Sequence, residues 1–347
     1  MVKRMPQLAV NNRGERGPLK ELVSHAADLF RRRVMLASVS LALPLLPGLV
    51  GCAAPLPRLR VASTTREGHD LLMECAAAHG LEAFQELSDL SVSYEGKWDW
   101  LVGRLQPILV DVGFRGGLQE RLLQREGVVA QSYTGPSGHK QVIRHTAKGA
   151  QGDVRVWFNG EEAYDVERRA AAALVVDGYG LFLLGPMLLA QRWANERLLI
   201  LELAGTERLT VGGHVYQCDV LRVHMAPGLG LSVDDELAVF IDREERLMRR
   251  VRFTLNGLES TRGAIAEVDT GEHVTLHGVR WPTRFHERLL RPAPLSVHRW
   301  HMSGLDVNRG LAPADVGAAT FSAKAGAPAA SVAGPQHDHN SSARHRT

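Results

Sequence analysis

The segment AAAALVVDGYGLFLLGPMLLA, residues 170–190, constrains the architecture more than any other because it is apolar on every side. Asp177 is its only charge, Pro186 and several glycines divide it, and Asp165 is placed to cap a helix that begins at Val166. These interruptions argue against a membrane span, so the stretch predicts a pair of short core helices. A segment that is apolar all round must be covered all round, and a sheet can do this by curling around it.

Patterns typical of antiparallel strands lie on both sides of this stretch. Upstream, short alternating runs separated by turn residues predict strands from Leu90 to Tyr164, with one at Val110 to Arg115. Downstream, a second series runs from Leu198 to Leu305. Within it, Val251, Phe253 and Leu255 alternate with Arg250, Arg252 and Thr254, which predicts one buried face and one solvent face.

A helix is predicted before the first strand. Thr64 and Glu67 have the spacing of a capping box, and Gly80 suits the end of the helix. The helix contains Cys75, and the chain has two other cysteines, Cys52 and Cys218. If Cys52 is lipidated, Cys218 is the only cysteine left to pair with Cys75. An oxidising compartment would permit a disulfide between Cys75 and Cys218, and two separate buried thiols are the alternative.

The segment from Arg31 to Cys52 resembles a lipoprotein signal peptide. Three arginines precede an uncharged apolar run, and Leu-Val-Gly-Cys at residues 49–52 resembles the bacterial lipobox. The resemblance implies that Cys52 is acylated, with palmitate on the anchor, and becomes the mature N-terminus. Ala53 follows it where an aspartate would favour retention in the inner membrane, so we expect an outer-membrane protein that faces the periplasm. Export by ordinary secretion or by the twin-arginine route both remain open.

The charge of the mature chain excludes one class of partner. Residues 1–51 carry a formal charge of +5, so the +3 of the whole chain leaves −2 for residues 52–347. The basic pI therefore gives no reason to expect nucleic acid binding. We expect a leader and signal peptide at 1–51, a tether at 52–63, a single domain at 64–308 and a disordered tail at 309–347.

The order of these elements resembles LolA and LolB, the carrier and receptor of bacterial lipoprotein sorting. The resemblance extends over about residues 64–306. The local motifs most similar to that family are Val239 to Arg252, a strand, a polar turn and a returning strand, and GVRWP at residues 278–282. It implies an α+β fold in which a curved antiparallel sheet forms an incomplete β-barrel wrapped around apolar helices. It also implies a cavity for acyl chains, although the tail and the more hydrophobic helical segment depart from that family.

A ligand cavity is expected where the apolar stretch meets the apolar face of the sheet. The ligand would be an acyl chain, a lipid or a lipoprotein, and the alternative is a fully packed core. The residues predicted to line the cavity are Leu181, Phe182, Leu184, Met187, Val251, Phe253 and Phe285.

Catalytic motifs are absent from the sequence. It lacks a Gly-x-Ser-x-Gly elbow and a phosphate-binding glycine loop, so we expect neither an enzyme nor a cofactor. One alternative is a metal-dependent periplasmic hydrolase that uses His286, Glu287 and His298 across a hairpin centred on Pro292. His301 lies three residues beyond His298, and residues three apart on a strand point to opposite faces, so the whole group cannot converge without a bulge. A structural envelope lipoprotein is the third hypothesis.

Overall fold

The computed structural model describes residue 56 and residues 59–146, 152–196, 199–317 and 321 of the 347-residue chain. The predicted signal peptide, Cys52 and most of the predicted tail lie outside these residues. The strands are β1 (Asp89–Trp98), β2 (Gly117–Leu123), β3 (Val128–Gly135), β4 (Gly138–His145), β5 (Asp153–Phe158), β6 (Glu161–Ala163), β7 (Leu199–Val211), β8 (His214–Met225), β9 (Asp235–Asp242), β10 (Met248–Thr254), β11 (Ile265–Gly271), β12 (Val274–Leu276), β13 (Val279–Trp281), β14 (Arg284–Arg291) and β15 (Leu295–Val307).

Thirteen strands form one antiparallel sheet, in the order β6-β5-β4-β3-β2-β1-β15-β14-β11-β10-β9-β8-β7. β12 and β13 form a separate hairpin. Among the described strands, β6 and β7 are the two ends of the large sheet and do not pair with each other. The sheet is therefore curved but open, and its concave face is lined by the main hydrophobic core.

The helices are α1 (Arg66–His79), α2 (Leu81–Gln85), α3 (Trp100–Leu105), α4 (Pro107–Val110) and α5 (Val166–Glu196). Short 3-10 helices lie at Val112–Phe114, Glu259–Thr261 and Pro313–Val316. The strand predicted at Val110 to Arg115 is wrong, because this segment forms the end of α4 and a 3-10 turn. Pro107 starts α4 and Asp111 has a positive φ of 48°, so the local backbone is helical and then turns sharply.

The apolar stretch forms two helical halves, as predicted, which meet at a kink at Gly185 and together span α5. α5 starts after Asp165, whose carboxylate accepts the Arg168 N–H at 2.9 Å, and it breaks at Gly185, where φ is 33° and ψ is −107°. The helix is long and apolar enough to cross a membrane, but 78% of its apolar window is buried inside the protein. Because α5 leads from edge strand β6 to edge strand β7, the sheet curls around it and the predicted incomplete barrel is confirmed.

The charge inside the apolar stretch has an internal partner. Asp177 accepts hydrogen bonds from Arg144 Nε at 3.2 Å and Nη2 at 3.0 Å, and from the Gly230 N–H at 2.8 Å. Arg144 lies on β4, so this ion pair ties the middle of α5 to the sheet. A buried carboxylate is tolerated here because two donors replace its water.

The α1 helix begins one residue later than its predicted cap. Thr65 accepts the Gly68 N–H at 3.1 Å, while the Thr64 hydroxyl donates to the Leu199 carbonyl of β7. Cys75 of α1 belongs to the concave core, whereas Cys218 belongs to a cluster on the convex face of β8. Both are free, buried thiols, which is the second of the two alternatives, and burial raises the pKa of each.

The C-terminal segment is ordered beyond the expected boundary at residue 308. Backbone N–H groups of Arg309 and Gly310 donate to the buried Asp89 carboxylate, each at 2.9 Å. Val316 and Phe321, both 1% exposed, join a convex-face cluster of Leu123, Val128, Ala130, Ile143 and Trp157. The composition predicts a disordered tail from residue 309, but Val316 and Phe321 pack against the convex face of the sheet.

Candidate functional site

The residues predicted to line a cavity lie together on the concave side. All of them are buried members of the main core cluster, namely Leu181, Phe182, Leu184, Met187, Val251, Phe253 and Phe285. The rings of Phe182 and Phe253 have centroids 5.4 Å apart, so α5 and β10 are in contact. Their role in ligand binding stays a prediction.

A cleft lies beside this cluster, where β1, β15 and α5 meet. Its volume is about 20 Å³, enough for about one water molecule and far below the several hundred Å³ of a typical ligand pocket. An acyl chain therefore needs the interior to open further. The cleft is lined by Tyr94, Glu95, Gly96, Trp98, Arg115, Gly116, Leu118, Tyr133, Tyr179, His298 and Trp300.

A row of stacked rings connects the cleft with the apolar core. Trp98 stacks on His298 at 4.2 Å between ring centroids, His298 on Trp300 at 4.5 Å, and Trp300 on Phe285 at 5.0 Å. Cross-strand pairs produce this row, because Trp98 pairs with His298 and Phe285 with Trp300 in the sheet register. Trp300 also contacts Phe182 at 5.8 Å, so the cleft and the predicted cavity residues form one continuous surface.

Arg115 supplies a cation to the wall of the cleft. Its Nε donates to the Val110 carbonyl at 2.7 Å and its Nη2 to the Leu109 carbonyl at 3.2 Å. Its guanidinium carbon lies 4.4 Å from the centroid of the Tyr133 ring and 5.3 Å from that of Trp98. The turn after α4 thus directs a permanent positive charge between aromatic side chains.

Two buried donors in the cleft lack a partner among the described residues. These are the Tyr94 hydroxyl and the Trp300 Nε1–H, on side chains that are 3% and 4% exposed. Both rings contact Tyr179 of α5, at 5.4 and 5.5 Å. Buried donors are normally hydrogen-bonded, and leaving one unpaired costs about 1–3 kcal/mol of stability. A bound water or ligand that accepts from these two donors would remove this cost.

Ionisable groups around the cleft are shifted toward their neutral forms. Burial raises the pKa of Glu287 to about 7, with a smaller opposing effect of Arg115, and raises the pKa of Glu120 to about 7 against its bond to Gln131. Burial, together with Arg115, holds the pKa of His298 well below its usual value. At neutral pH the cleft therefore combines a fixed cation with neutral or partly neutral neighbours.

The alternative metal set does not come together. The hairpin predicted around Pro292 exists as β14 and β15, and Glu287 pairs with His298 on the concave side. His286 pairs with Arg299 and points to the convex side, where its ring contacts Ser296 and Arg288. Within the described residues, no group of three His, Cys, Asp or Glu side chains could hold a metal ion.

The polar part of the site was missed by the sequence reasoning. The sequence pattern places Arg115 in a strand and predicts only strand or core positions for Tyr94, Tyr133 and Tyr179. One signal was present in the sequence: Glu287 stands between Phe285 and Leu289 at an inward position of an apolar face, where a carboxyl group needs a reason.

Comparisons with known proteins concern architecture only. No family model and no curated protein matches the sequence. A DUF1329 family protein from Desulfovibrio piger aligns with 74% of this chain and 98% of its own, at 13% identity and a TM-score of 0.47. A putative outer membrane lipoprotein-sorting protein domain from Vibrio parahaemolyticus aligns with 72% of this chain and 96% of its own (11% identity, TM-score 0.45). A LolA superfamily protein from Nitrosomonas europaea aligns with 72% of this chain and 97% of its own, at 10% identity and a TM-score of 0.42. Similarity at this level says nothing about ligand or partner.

Proposed function

We propose that the protein is an outer-membrane lipoprotein, anchored through a lipid on Cys52 and facing the periplasm, that binds a hydrophobic ligand inside the half barrel. The ligand class is an acyl chain, a lipid or a lipoprotein. One observation carries the proposal: a row of packed rings, Trp300 and Phe285, joins the cleft to the apolar residues that surround α5. Such a surface suits a ligand with a long apolar part.

Binding requires the interior to open, and α5 has a suitable place for it. The break at Gly185 separates the part of α5 that carries Phe182 from the part that carries Met187. A helix broken at one residue can shift one half against the other without losing many hydrogen bonds. The hypothesis of a metal-dependent hydrolase is not supported, because His286 lies on the other side of the sheet from Glu287 and His298. The remaining alternative is a purely structural envelope lipoprotein, and the tests below distinguish it from a binding protein.

Ligand binding is tested with N-phenyl-1-naphthylamine, a neutral fluorescent probe, and full-length Cys52→Ser protein, which lacks the proposed lipid. We expect micromolar binding that tightens several-fold in Phe182→Ala, because the deleted ring leaves space beside the cleft. Phe84→Ala is the matched control. Phe84 is also buried and contacts Trp281 away from the cleft, so both variants should lose about 3–5 kcal/mol of stability but only one should change binding. Absence of probe binding to the folded protein would leave the structural role.

Anchoring is tested separately by membrane fractionation. The Cys52→Ser protein should be lost from the outer-membrane fraction, because the thioether between the cysteine sulfur and the diacylglycerol of the anchor cannot form without the cysteine. Unchanged membrane association of Cys52→Ser would refute the anchor while leaving the binding proposal standing.

A further inference from the structure

Two side chains that line the cleft carry hydrogen bond donors without an acceptor among the described residues. The Tyr94 hydroxyl and the Trp300 Nε1–H are buried and have no hydrogen bond partner among the described residues. Both belong to the lining of the same cleft as Arg115. Three residues that carry donor groups thus line one cleft, although they come from β1, β15 and the turn before β2.

The Arg115 cation also lacks an anionic partner. Its hydrogen bonds go to the carbonyls of Leu109 and Val110, and within the described residues no carboxylate lies within 4.0 Å of it. The carboxylate of nearby Asp111 is bonded to Lys140 instead. Burial opposes the charged form of Arg115, but Tyr133, Tyr179 and Asp111 outweigh it and raise the pKa of Arg115, so the guanidinium stays charged with no carboxylate of the described residues in direct contact. An incoming anion could therefore bind it through charge-assisted hydrogen bonds.

The carboxyl groups around the cleft do not cancel this preference. Glu287 shares the interior with Arg115, but burial raises the pKa of Glu287 to about 7, so a second anion nearby would keep it protonated. The Glu95 side chain is 69% exposed at the mouth of the cleft, near His301, and solvent screens it. His298 is neutral and stacked between two tryptophans.

We infer that the cleft binds the carboxylate head of a long-chain amphiphile, with Arg115, Tyr94 and Trp300 as its donors and the hydrocarbon chain directed toward α5. The inference rests on the proposed function and adds to it the chemical class of the polar end. The row of rings from Trp300 to Phe285 and Phe182 leads from these donors into the apolar core, so one molecule can satisfy both regions. A free fatty acid fits this description, whereas a fatty alcohol of equal length lacks the charge.

The test compares palmitate with hexadecanol as competitors for N-phenyl-1-naphthylamine on full-length Cys52→Ser protein. Palmitate should displace the probe at a concentration at least about tenfold lower than hexadecanol, the ratio expected from a hydrogen bond to a charged group. In Tyr94→Phe this preference should fall to less than about threefold, while the unfolding midpoint stays equal or rises because an unpaired hydroxyl is removed. Arg115→Gln should also lose the preference, but it frees the carbonyls of Leu109 and Val110, so Tyr94→Phe is the decisive variant.

Ser91→Ala is the matched control. The Ser91 hydroxyl is another buried, unpartnered group on β1, yet it belongs to the opposite face of the strand, so its removal should leave the palmitate preference unchanged. Equal displacement by palmitate and hexadecanol would overturn the inference and leave the proposed function intact, with water as the partner of the donors. A preference that survives in Tyr94→Phe would overturn it as well. Failure of both competitors would refute the proposed function itself.

Discussion

At the scale of single residues, the interior of the half barrel holds carboxyl groups that an apolar cavity would exclude. Glu120 is 4% exposed and accepts a hydrogen bond from Gln131, which in turn accepts the Tyr133 hydroxyl. The chain keeps Glu120 inside a connected network, so the cost of burial falls mainly on its ionised form. Burial accordingly raises its pKa from 4.5 to about 7.

This shift predicts a pH-dependent stability. A carboxyl group with a raised pKa in the folded state binds its proton more tightly there, so its contribution is present in full below pH 4.5 and is lost as the pH rises through 7. Glu120→Gln, which mimics the protonated form, should therefore gain up to about 3 kcal/mol relative to the wild type between pH 5 and pH 8. Urea unfolding at the two pH values measures this difference.

The comparison must be made between variants, because buried histidines act in the opposite direction. Burial lowers the pKa of His79 to about 4 and of His273 to about 2, so these groups destabilise the fold as the pH falls below 6.5 in every variant. Glu86→Gln, at an exposed position, is the control and should follow the wild type at both pH values. A wild type and Glu120→Gln with the same pH profile would mean that Glu120 is already ionised inside the fold.

At the scale of elements, α5 depends on two kinds of glycine. Gly185 has a φ of 33°, and a Cβ atom there would lie 2.6 Å from Met248 Cε. Gly180 has no atom within 4 Å of a Cβ position and lies in regular helix. The first glycine therefore allows the break in α5, while the second only lowers helix propensity.

The two glycines should respond to alanine with opposite signs. Gly185→Ala should lower the free energy of unfolding by at least about 1–2 kcal/mol, because a side chain is strained at this φ even after Met248 moves. Gly180→Ala should raise it by about 0.5–1 kcal/mol through better helix propensity. Chemical denaturation of both variants checks the pair, and stabilisation by both would show that α5 continues as regular helix through residue 185.

At the scale of the whole molecule, the sheet is covered on both sides. The concave face holds α1 and α5, and the convex face of β2 to β5 carries the C-terminal segment with Val316 and Phe321. The Arg121 guanidinium lies 5.4 Å from the Phe321 ring centroid, which extends the cover over a buried cation. This part of the sheet has apolar residues on both faces. On β10 the predicted alternation holds, but Arg250 and Arg252 are not on a solvent face, because they are paired with Asp269 and Glu267 and Arg252 is buried.

The C-terminal cover should therefore contribute to stability. Truncation after Asn308 removes Phe321 and the N–H groups that satisfy Asp89, and we expect a loss of about 3–5 kcal/mol, or about 10 °C in Tm. Truncation after Ser322 keeps these contacts and should leave Tm unchanged, in line with the expectation that the remaining residues form a tail. Differential scanning calorimetry decides the matter, and equal Tm values for both truncations would mean that the segment does not stabilise the sheet.

The curled sheet and the element that it surrounds are predictable from the amino-acid pattern. Alternation of apolar residues along the strands and the apolar run at 170–190 are local patterns, and the need to bury both leaves few arrangements. The hairpin around Pro292 and the gathering of Phe182, Phe253 and Phe285 follow from the same patterns. These features depend on which face of a helix or strand is apolar, and the order of apolar and polar residues along the element determines that face.

The polar cleft, the two free thiols and the C-terminal cover depend on contacts in the folded chain. The role of Arg115 depends on a turn that places its guanidinium beside Tyr133 and Trp98, although these residues come from three separate segments. The fate of Cys75 and Cys218 depends on which side of β8 each side chain occupies. Such features arise from contacts between residues that are far apart in the chain, and a pattern read along the chain carries no record of which distant side chains meet in space.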